Sequence, residues 1–320
     1  MIHIGNCLDI LPTLAEGSVQ TCVTSPPYFG LRDYGTADQI GLELTPDEFV
    51  TALVAVFREV RRVLCDDGTL WLNLGDSYAS DSKWGGSTGG KAAKGIHGPG
   101  GGGRRKTSVG LPDKNLIGIP WRVAFALQAD GWYLRQDIIW SKPNPMPESV
   151  RDRCTKAHEY LFLFSKSPRY HFDHEAIAEP LAESSVSRLS QSGLEQQAGS
   201  NRVPGKTNGA MKAVGSIAPG SDADKMGMRN KRSVWTVPTM PFREAHFATF
   251  PEALIEPCIL AGAPAGGVVL DPFMGAGTTA VVSERLGRQW IGCELNPEYA
   301  AIAQRRLVGV QKPLFDGVAA

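Results

Sequence analysis

The sequence of 320 residues has no net formal charge, since 33 Lys and Arg balance 33 Asp and Glu. A polyanionic partner cannot be read from that total and has to be sought in how the charges are distributed. No apolar run reaches the roughly 20 residues that a bilayer-crossing helix needs. No signal peptide opens the chain, because Met1 to Ile4 runs directly into Gly5-Asn6, so a soluble, cytoplasmic protein is expected. The six cysteines, Cys7, Cys22, Cys65, Cys154, Cys258 and Cys293, form no CxxC pair and no Cys/His cluster at zinc spacing. A reduced protein without a structural metal is therefore expected. His171 and His174 have no Cys or carboxylate cluster to complete a site and are assigned to surface or packing. No repeat of fixed period is visible. What remains is an ordinary globular composition, 42% hydrophobic and 21% charged, long enough for one large domain with an insertion.

Charge is uneven along the chain. From Lys83 to Lys106 there are six basic residues (Lys83, Lys91, Lys94, Arg104, Arg105, Lys106) and no acidic one. From Ser184 to Val234 eight Lys or Arg, among them Arg202, Lys231 and Arg232, face only Glu195, Asp222 and Asp224. Each run reads equally well as a solvated loop or as a phosphate-contacting segment. The first overlaps a stretch, Gly85 to Gly103, with ten glycines. Each glycine costs backbone entropy to order, so this segment is expected to be a loop. Ser184 to Arg232 is rich in Ser, Gly, Gln and Asn and reads as an insertion.

Elsewhere strands and helices alternate. Strands are expected at Ile2 to Ile4, Val19 to Val23, Thr69 to Leu74, Tyr133 to Trp140, Glu159 to Ser165, Gly266 to Leu270 and Trp290 to Cys293. Helices are expected near Leu8 to Leu14, Pro46 to Leu64, Pro120 to Ala129, Phe247 to Ala261, Gly277 to Leu286 and Pro297 to Leu307. Such alternation implies a doubly wound α/β sheet.

Two constellations carry chemistry. Val268 to Thr279 reads strand, tight glycine turn, helix: Asp271-Pro272-Phe273-Met274-Gly275-Ala276-Gly277-Thr278-Thr279. Glycines let a ligand approach the backbone, and the helix start offers free N–H groups. Ala280 stands where a dinucleotide fingerprint would have its third glycine, which weakens a nicotinamide reading. Glu294 ends the next strand, where a carboxylate can accept both hydroxyls of a ribose; its bland alternative is support of the helix starting at Pro297.

The second constellation is Ser25-Pro26-Pro27-Tyr28, where two prolines end a strand at the edge along which ligand sites open in such sheets. An exocyclic base amine is a poor nucleophile because its lone pair is delocalised into the ring. A catalyst should hold its N–H groups with acceptors, and Ser25 Oγ and the Pro26 carbonyl qualify, while Tyr28 offers a ring for an extruded base to stack on. Alone, the tetrapeptide reads equally as a proline turn.

Together, Ser25 to Tyr28 and Asp271 to Thr279 resemble the two motifs of the β-class DNA amino-methyltransferases, in which the catalytic motif precedes the cofactor motif. The resemblance implies a Rossmann-like S-adenosylmethionine-dependent methyltransferase sheet with circularly permuted motif order and an inserted target-recognition region. It implies S-adenosyl-L-methionine as cofactor, held by Asp271, Pro272, Phe273, Gly275, Gly277, Thr278 and Thr279, with Glu294 on the ribose. Asp9 matches an acidic position near the adenine, while Asn6, where the family usually has Asp, is left without a role. Phe247 to Pro251 resembles the segment closing over the methionine part, which nominates Phe250 and Pro251.

The permuted order divides the chain into a catalytic half (1–77), a Gly-rich basic loop (78–111), remaining core (112–167), a target-recognition insertion (168–237), a cofactor half (238–310) and a tail (311–320). Double-stranded DNA is the implied partner, contacted by Lys83, Arg104, Arg105, Lys106, Arg202, Lys231 and Arg232. A separate restriction endonuclease, and a monomeric or homodimeric state, stay open. Ser25 tilts the expected target toward cytosine N4 over adenine N6. Methylation of cytosine carbon would need a nucleophilic cysteine, and Cys258 after Pro257 is assigned to the core instead. A nucleotide-dependent oxidoreductase is the remote alternative.

Overall fold

In a computed structural model the described residues are 1–30, 36, 38–79, 110–182, 184, 227–240 and 250–310. Contacts divide the chain into one unit of Met1–Asp173 with Ser233–Ala320 and another of His174–Arg232, which falls within the stretch 168–237.

The first unit opens with β1 (Ile2–Ile4) and α1 (Cys7–Ile10), followed by a 3-10 turn, Leu11–Thr13, and β2 (Val19–Thr24). The single helix expected from Leu8 to Leu14 is cut short because Pro12 has no N–H with which to continue it. α2 (Pro46–Val63) begins with a capping box between Thr45 and Glu48 and proline in its first turn. It buries Phe49, Leu53, Val56, Phe57, Val60 and Val63 completely. Each such side chain contributes about 1.5–3 kcal/mol relative to exposure. β3 (Leu64–Leu74) starts five residues earlier than its apolar run implies, with a register shift against β2 between the Val19↔Leu64 and Thr21↔Thr69 pairs.

Next come α3 (Ile119–Ala129), β4 (Tyr133–Ser141) and β5 (His158–Ser165). Asp76 accepts hydrogen bonds from the first free N–H groups of α3, those of Gly118 and Ile119, both at 3.0 Å. In the second unit β6 (Glu179–Pro180) pairs antiparallel with β7 (Met228–Arg229). The first unit then resumes with β8 (Val234–Thr236), α4 (Glu252–Gly262), β9 (Val268–Asp271), α5 (Thr278–Arg285), β10 (Gln289–Glu294) and α6 (Pro297–Val308). Helix α4 starts later than the expected Phe247; residues 241–249 lie outside the described ones. Among the described residues no helix is long and apolar enough to cross a membrane.

The eight-stranded sheet has the order β1-β10-β9-β2-β3-β5-β4-β8. Its first five members are parallel, β5 runs antiparallel to both neighbours, and β8 is parallel to β4. The sheet is therefore mixed. Cys22, Leu70, Leu72, Leu74, Phe162 and Phe164 pack with α2 and α3 into one core. On the opposite face α4 approaches so closely that a Cβ on Gly262 would lie 2.7 Å from Thr21 Oγ1 and 2.8 Å from Trp71 Nε1.

Strand order joins what sequence separates. β9 pairs with β2 through Thr21↔Val269 and Cys22↔Leu270, and β10 pairs with β1 through Ile2↔Gly292. The segment from Val268 onward and the segment from Ile2 are one continuous piece of sheet. Both motifs thus arrive side by side at the carboxyl ends of adjacent parallel strands.

Candidate active site

The loop after β9 is built around Asp271, which is 2% exposed. Its carboxylate accepts from Thr24 Oγ1 (2.6 Å), Thr279 Oγ1 (2.6 Å) and the Phe273 N–H (3.1 Å). Thr24 ends β2, 247 positions away in sequence, so this one carboxylate fastens the strand leading into Ser25 to the glycine loop. Burial pushes its pKa up to about 6, against the pull of those three donors. Gly275 and Gly277 adopt φ of +52° and +80°, values open to glycine at little cost. A Cβ at Gly275 would meet nothing closer than 4.0 Å, and that empty space belongs to a cavity of about 430 Å³. At Gly277 the reason for glycine is packing, because a Cβ would lie 2.7 Å from Ala303 Cβ.

Glu294 ends β10 and faces the same cavity. Oε2 accepts the Gly275 N–H at 2.7 Å and Oε1 the Asn296 N–H at 2.8 Å. Each oxygen keeps lone-pair capacity, enough for two vicinal hydroxyls. Burial raises its pKa. Phe250, Pro272, Phe273, Thr278, Leu295 and Tyr299 complete this end of the lining. An open glycine backbone, a fixed diol acceptor and aromatic walls fit an adenosine-containing ligand.

The other end of the cavity is lined by Ser25, Pro26, Pro27 and Tyr28 together with Asn73, Trp140, Lys142 and Glu159. Sheet register explains the company. Asn73 pairs with Leu161 across β3 and β5, Glu159 sits two residues along β5 on the same face, and Trp140 pairs with Glu159 across β4. The Ser25 hydroxyl donates to Asn73 Oδ1 at 3.3 Å. The Tyr28 hydroxyl donates to Glu159 Oε2 at 2.6 Å, and its ring lies so flat on Gly75 that a Cβ there would be 2.5 Å from Cε2. Lys142 forms an ion pair with Glu159, and its Nζ stands 4.2 Å from the centre of the Trp140 ring.

Ten of the fifteen residues nominated from sequence for catalysis or cofactor binding thus line one cavity, in two groups. Asp271, Gly277 and Thr279 shape the loop from behind and do not line the cavity. Pro251 is the N-cap residue of α4. Asp9 is exposed on α1 and lies outside the lining, whereas Gly5, Asn6 and Cys7 are part of it. Cys258 is completely buried in α4. Of the basic residues, Lys83, Arg104, Arg105, Lys106 and Arg202 lie outside the described residues. Lys231 and Arg232 belong to the second unit, where Arg232 Nε is 3.0 Å from Glu179 Oε1 and Arg229 Nε is 3.1 Å from the same oxygen. Sequence reasoning missed Asn73, Lys142 and Glu159. The available signal was polarity at the open ends of apolar strands: Asn73 near the close of Leu-Trp-Leu-Asn-Leu, and Glu159 just before Tyr-Leu-Phe-Leu-Phe.

A Rossmann-like sheet with a glycine loop, a strand-end carboxylate and a Ser-Pro-Pro-Tyr turn at adjacent strand ends is the arrangement of an S-adenosylmethionine-dependent methyltransferase. The family described as DNA methylase, the N6/N4 methyltransferases, matches residues 19–305, and the chain belongs to it. It is a DNA amino-methyltransferase acting on cytosine N4 or adenine N6, with S-adenosyl-L-methionine as cofactor. The chain is 48% identical to the Type II methyltransferase M.XycI of Xanthomonas campestris pv. cyanopsidis over 95% of this chain and 86% of that protein. It is 44% identical to the Type II methyltransferase M.SmaI of Serratia marcescens over 96% and 90%. Among solved structures, the PvuII DNA methyltransferase (cytosine-N4-specific) shares the fold with a TM-score of 0.61 at 19% identity, covering 100% of this chain and 87% of that one. The complex of M1.HpyAVI with S-adenosylmethionine shares it with a TM-score of 0.51 at 16% identity, over 96% and 99%.

Proposed function

We propose that the protein methylates the N4 amine of cytosine in a specific sequence of double-stranded DNA, after extruding the base from the helix, by direct transfer to the amine. The observation that carries this is the convergence of Ser25 and Tyr28 with the Glu294 loop on one cavity. When bound, the cofactor supplies an electrophilic methyl group. Gly275, Thr278, Phe250, Pro272, Phe273 and Glu294 hold it, with the Glu294 carboxylate accepting the ribose hydroxyls. Asp271, Gly277 and Thr279 shape the loop.

Ser25 Oγ and the Pro26 carbonyl accept the amine N–H groups. Accepting those protons raises electron density on the nitrogen and aims its lone pair at the bound cofactor's methyl group. As the N–C bond formed, the electron pair of the broken C–S bond would leave with S-adenosylhomocysteine, and the amine would give up one proton to solvent. Tyr28 stacks on the extruded base, and Pro27 fixes the turn. Cytosine is favoured over adenine by serine at the first position of the tetrapeptide. The basic residues Lys83, Arg104, Arg105, Lys106, Arg202, Lys231 and Arg232 contact phosphates, which makes binding fall steeply with salt. We place the enzyme in the cytoplasm; the Type II naming of M.XycI and M.SmaI supports a separate restriction endonuclease as its companion.

Expression in a methylation-deficient host, followed by nucleoside analysis of its DNA, tests the proposal. N4-methylcytosine without N6-methyladenine is the expected result; the reverse would overturn the choice of base, leaving the amino-transfer chemistry intact.

A further inference from the structure

Glu159 and Lys142 have no part in the chemistry just described, yet both line the base-holding end of the cavity and their side chains are only 14% and 16% exposed. We propose that Glu159, charge-balanced by Lys142, is a positioning residue for methyl transfer. It fixes the Tyr28 ring directly and the Ser25 hydroxyl by way of Asn73. This rests on the assignment of Ser25 to Tyr28 as the amine-holding element.

The chain of contacts is closed and directional. Asn73 Nδ2 donates to Glu159 Oε2 at 3.3 Å and to the Tyr160 carbonyl at 3.1 Å. Two acceptors on one side of the amide decide its orientation, because the reverse arrangement would set Oδ1 against two oxygens with no proton between them. Oδ1 is thereby turned toward the Ser25 and Tyr28 hydroxyls, each 3.3 Å away, and takes the proton of Ser25. A serine hydroxyl has one proton to give; once that proton is committed to Asn73, only lone pairs are left for an incoming amine, which needs acceptors. Glu159 Oε2 also receives the Tyr28 proton, the shorter of its two hydrogen bonds. The ring, pinned at its hydroxyl and pressed on Gly75, is held in one plane for stacking. Lys142 binds the other oxygen, Oε1, so that both oxygens of this enclosed carboxylate have partners.

Glutamine is nearly isosteric with glutamate but carries one donor end. In Glu159→Gln the amide NH2 has to face either the Lys142 ammonium or the Tyr28 and Asn73 donors, and either choice breaks the chain at one point. The expected result is a fall in kcat of about 30- to 100-fold with KM for S-adenosylmethionine changed by less than about 2-fold, as for a misplacement of reacting groups without loss of ground-state binding. Methyl transfer is read with radiolabelled cofactor on genomic DNA from a methylation-deficient host, so the recognised sequence need not be known. Lys142→Met should reproduce the loss, and Lys142→Arg should recover activity to within about 5-fold of the native rate, since the guanidinium also pairs with a carboxylate.

The network makes a second, sharper demand. The loss caused by Glu159→Gln should shrink when Tyr28 is already Phe, with a departure from additivity of about 5-fold or more. Binding of S-adenosylhomocysteine by calorimetry should match the native protein in every variant that folds, while Lys142→Met, which leaves an enclosed carboxylate unpaired, should lower the melting temperature. Native turnover in Glu159→Gln, or losses that simply multiply with Tyr28→Phe, overturns the proposal. Should Glu159→Gln fail to fold, the cycle between Lys142→Met and Tyr28→Phe decides on the same criterion. Ser25→Ala separates the two levels: if it transfers methyl at the native rate, the assignment of the amine-holding element is wrong. If it is inactive while Glu159→Gln is native, only the role of Glu159 is wrong.

Discussion

The two ends of the cavity are built in opposite ways. At the cofactor end most supports are near in sequence: Asp271 holds Thr279 eight residues on, and Glu294 holds Gly275 nineteen residues back. At the base end the supports are distant and come from antiparallel strands: Tyr28 reaches Glu159 across 131 positions and Ser25 reaches Asn73 across 48. A loop that closes on itself makes one kind of site, a rigid receptacle that any chemistry can use. Side chains gathered from three strands make another, in which orientation depends on the whole sheet. The ends are joined through Thr24, whose hydroxyl donates to Asp271, and through Thr279, whose hydroxyl also lies 3.3 Å from the Val23 carbonyl.

If the division is real, substitutions should separate binding from turnover. A large effect is expected for Gly75→Ala, whose methyl would displace the Tyr28 ring. Methyl transfer should fall about 100-fold while affinity for S-adenosylhomocysteine stays native, as befits displacement of a positioned group by about 1 Å. Equal losses in both would show that the ends are not separable.

A second effect comes from Asp271. Its folded pKa of about 6 lies above the unfolded value of 3.8, so the native state holds the proton more tightly than the unfolded chain does. The resulting stabilisation is fully present below pH 3.8 and is lost as pH rises through about 6. Its size is roughly 2–3 kcal/mol. Because other carboxylates titrate nearby, the quantity to follow is the stability of the native protein minus that of Asp271→Asn by urea unfolding, which should decline from pH 4 to pH 7. A flat difference would contradict the assigned burial.

The converse of Gly75→Ala is Glu294→Gln, which leaves the base end untouched. Here affinity for S-adenosylhomocysteine should weaken about 10-fold, the usual scale for losing one charge-assisted hydrogen bond. Turnover at saturating cofactor should change little. The smallest effect is expected for Thr24→Val, which cuts one of the ties between the ends. It should cost about 1 kcal/mol of stability by urea unfolding and alter neither end alone.

The same contrast governs what could be seen before the fold was known. Alternating patterns gave most helices and strands to within a few residues, because burial on one face or two leaves a period in the chain. The errors have local causes, such as Pro12 interrupting the helix after β1. The antiparallel placement of β5 is settled by tertiary pairing and leaves no mark in its apolar run. Asp271, Gly275 and Glu294 were legible because a tight loop imposes glycines and a strand-end carboxylate at short spacing. Ser25 to Tyr28 was legible through its two prolines. Asn73, Lys142 and Glu159 were not, since their meaning lies in register across three strands. Asp9, to which the motif points, is exposed, while Asn6 three residues earlier lines the cavity.

Ser25→Ala tests the central claim most directly, with calorimetry of S-adenosylhomocysteine and methyl transfer to unmethylated DNA measured on the same preparation. Affinity within about 2-fold of native together with transfer reduced about 100-fold or more is the predicted result, as for loss of an interaction made only in the transition state. Native transfer, or loss of cofactor affinity in step with activity, would contradict it.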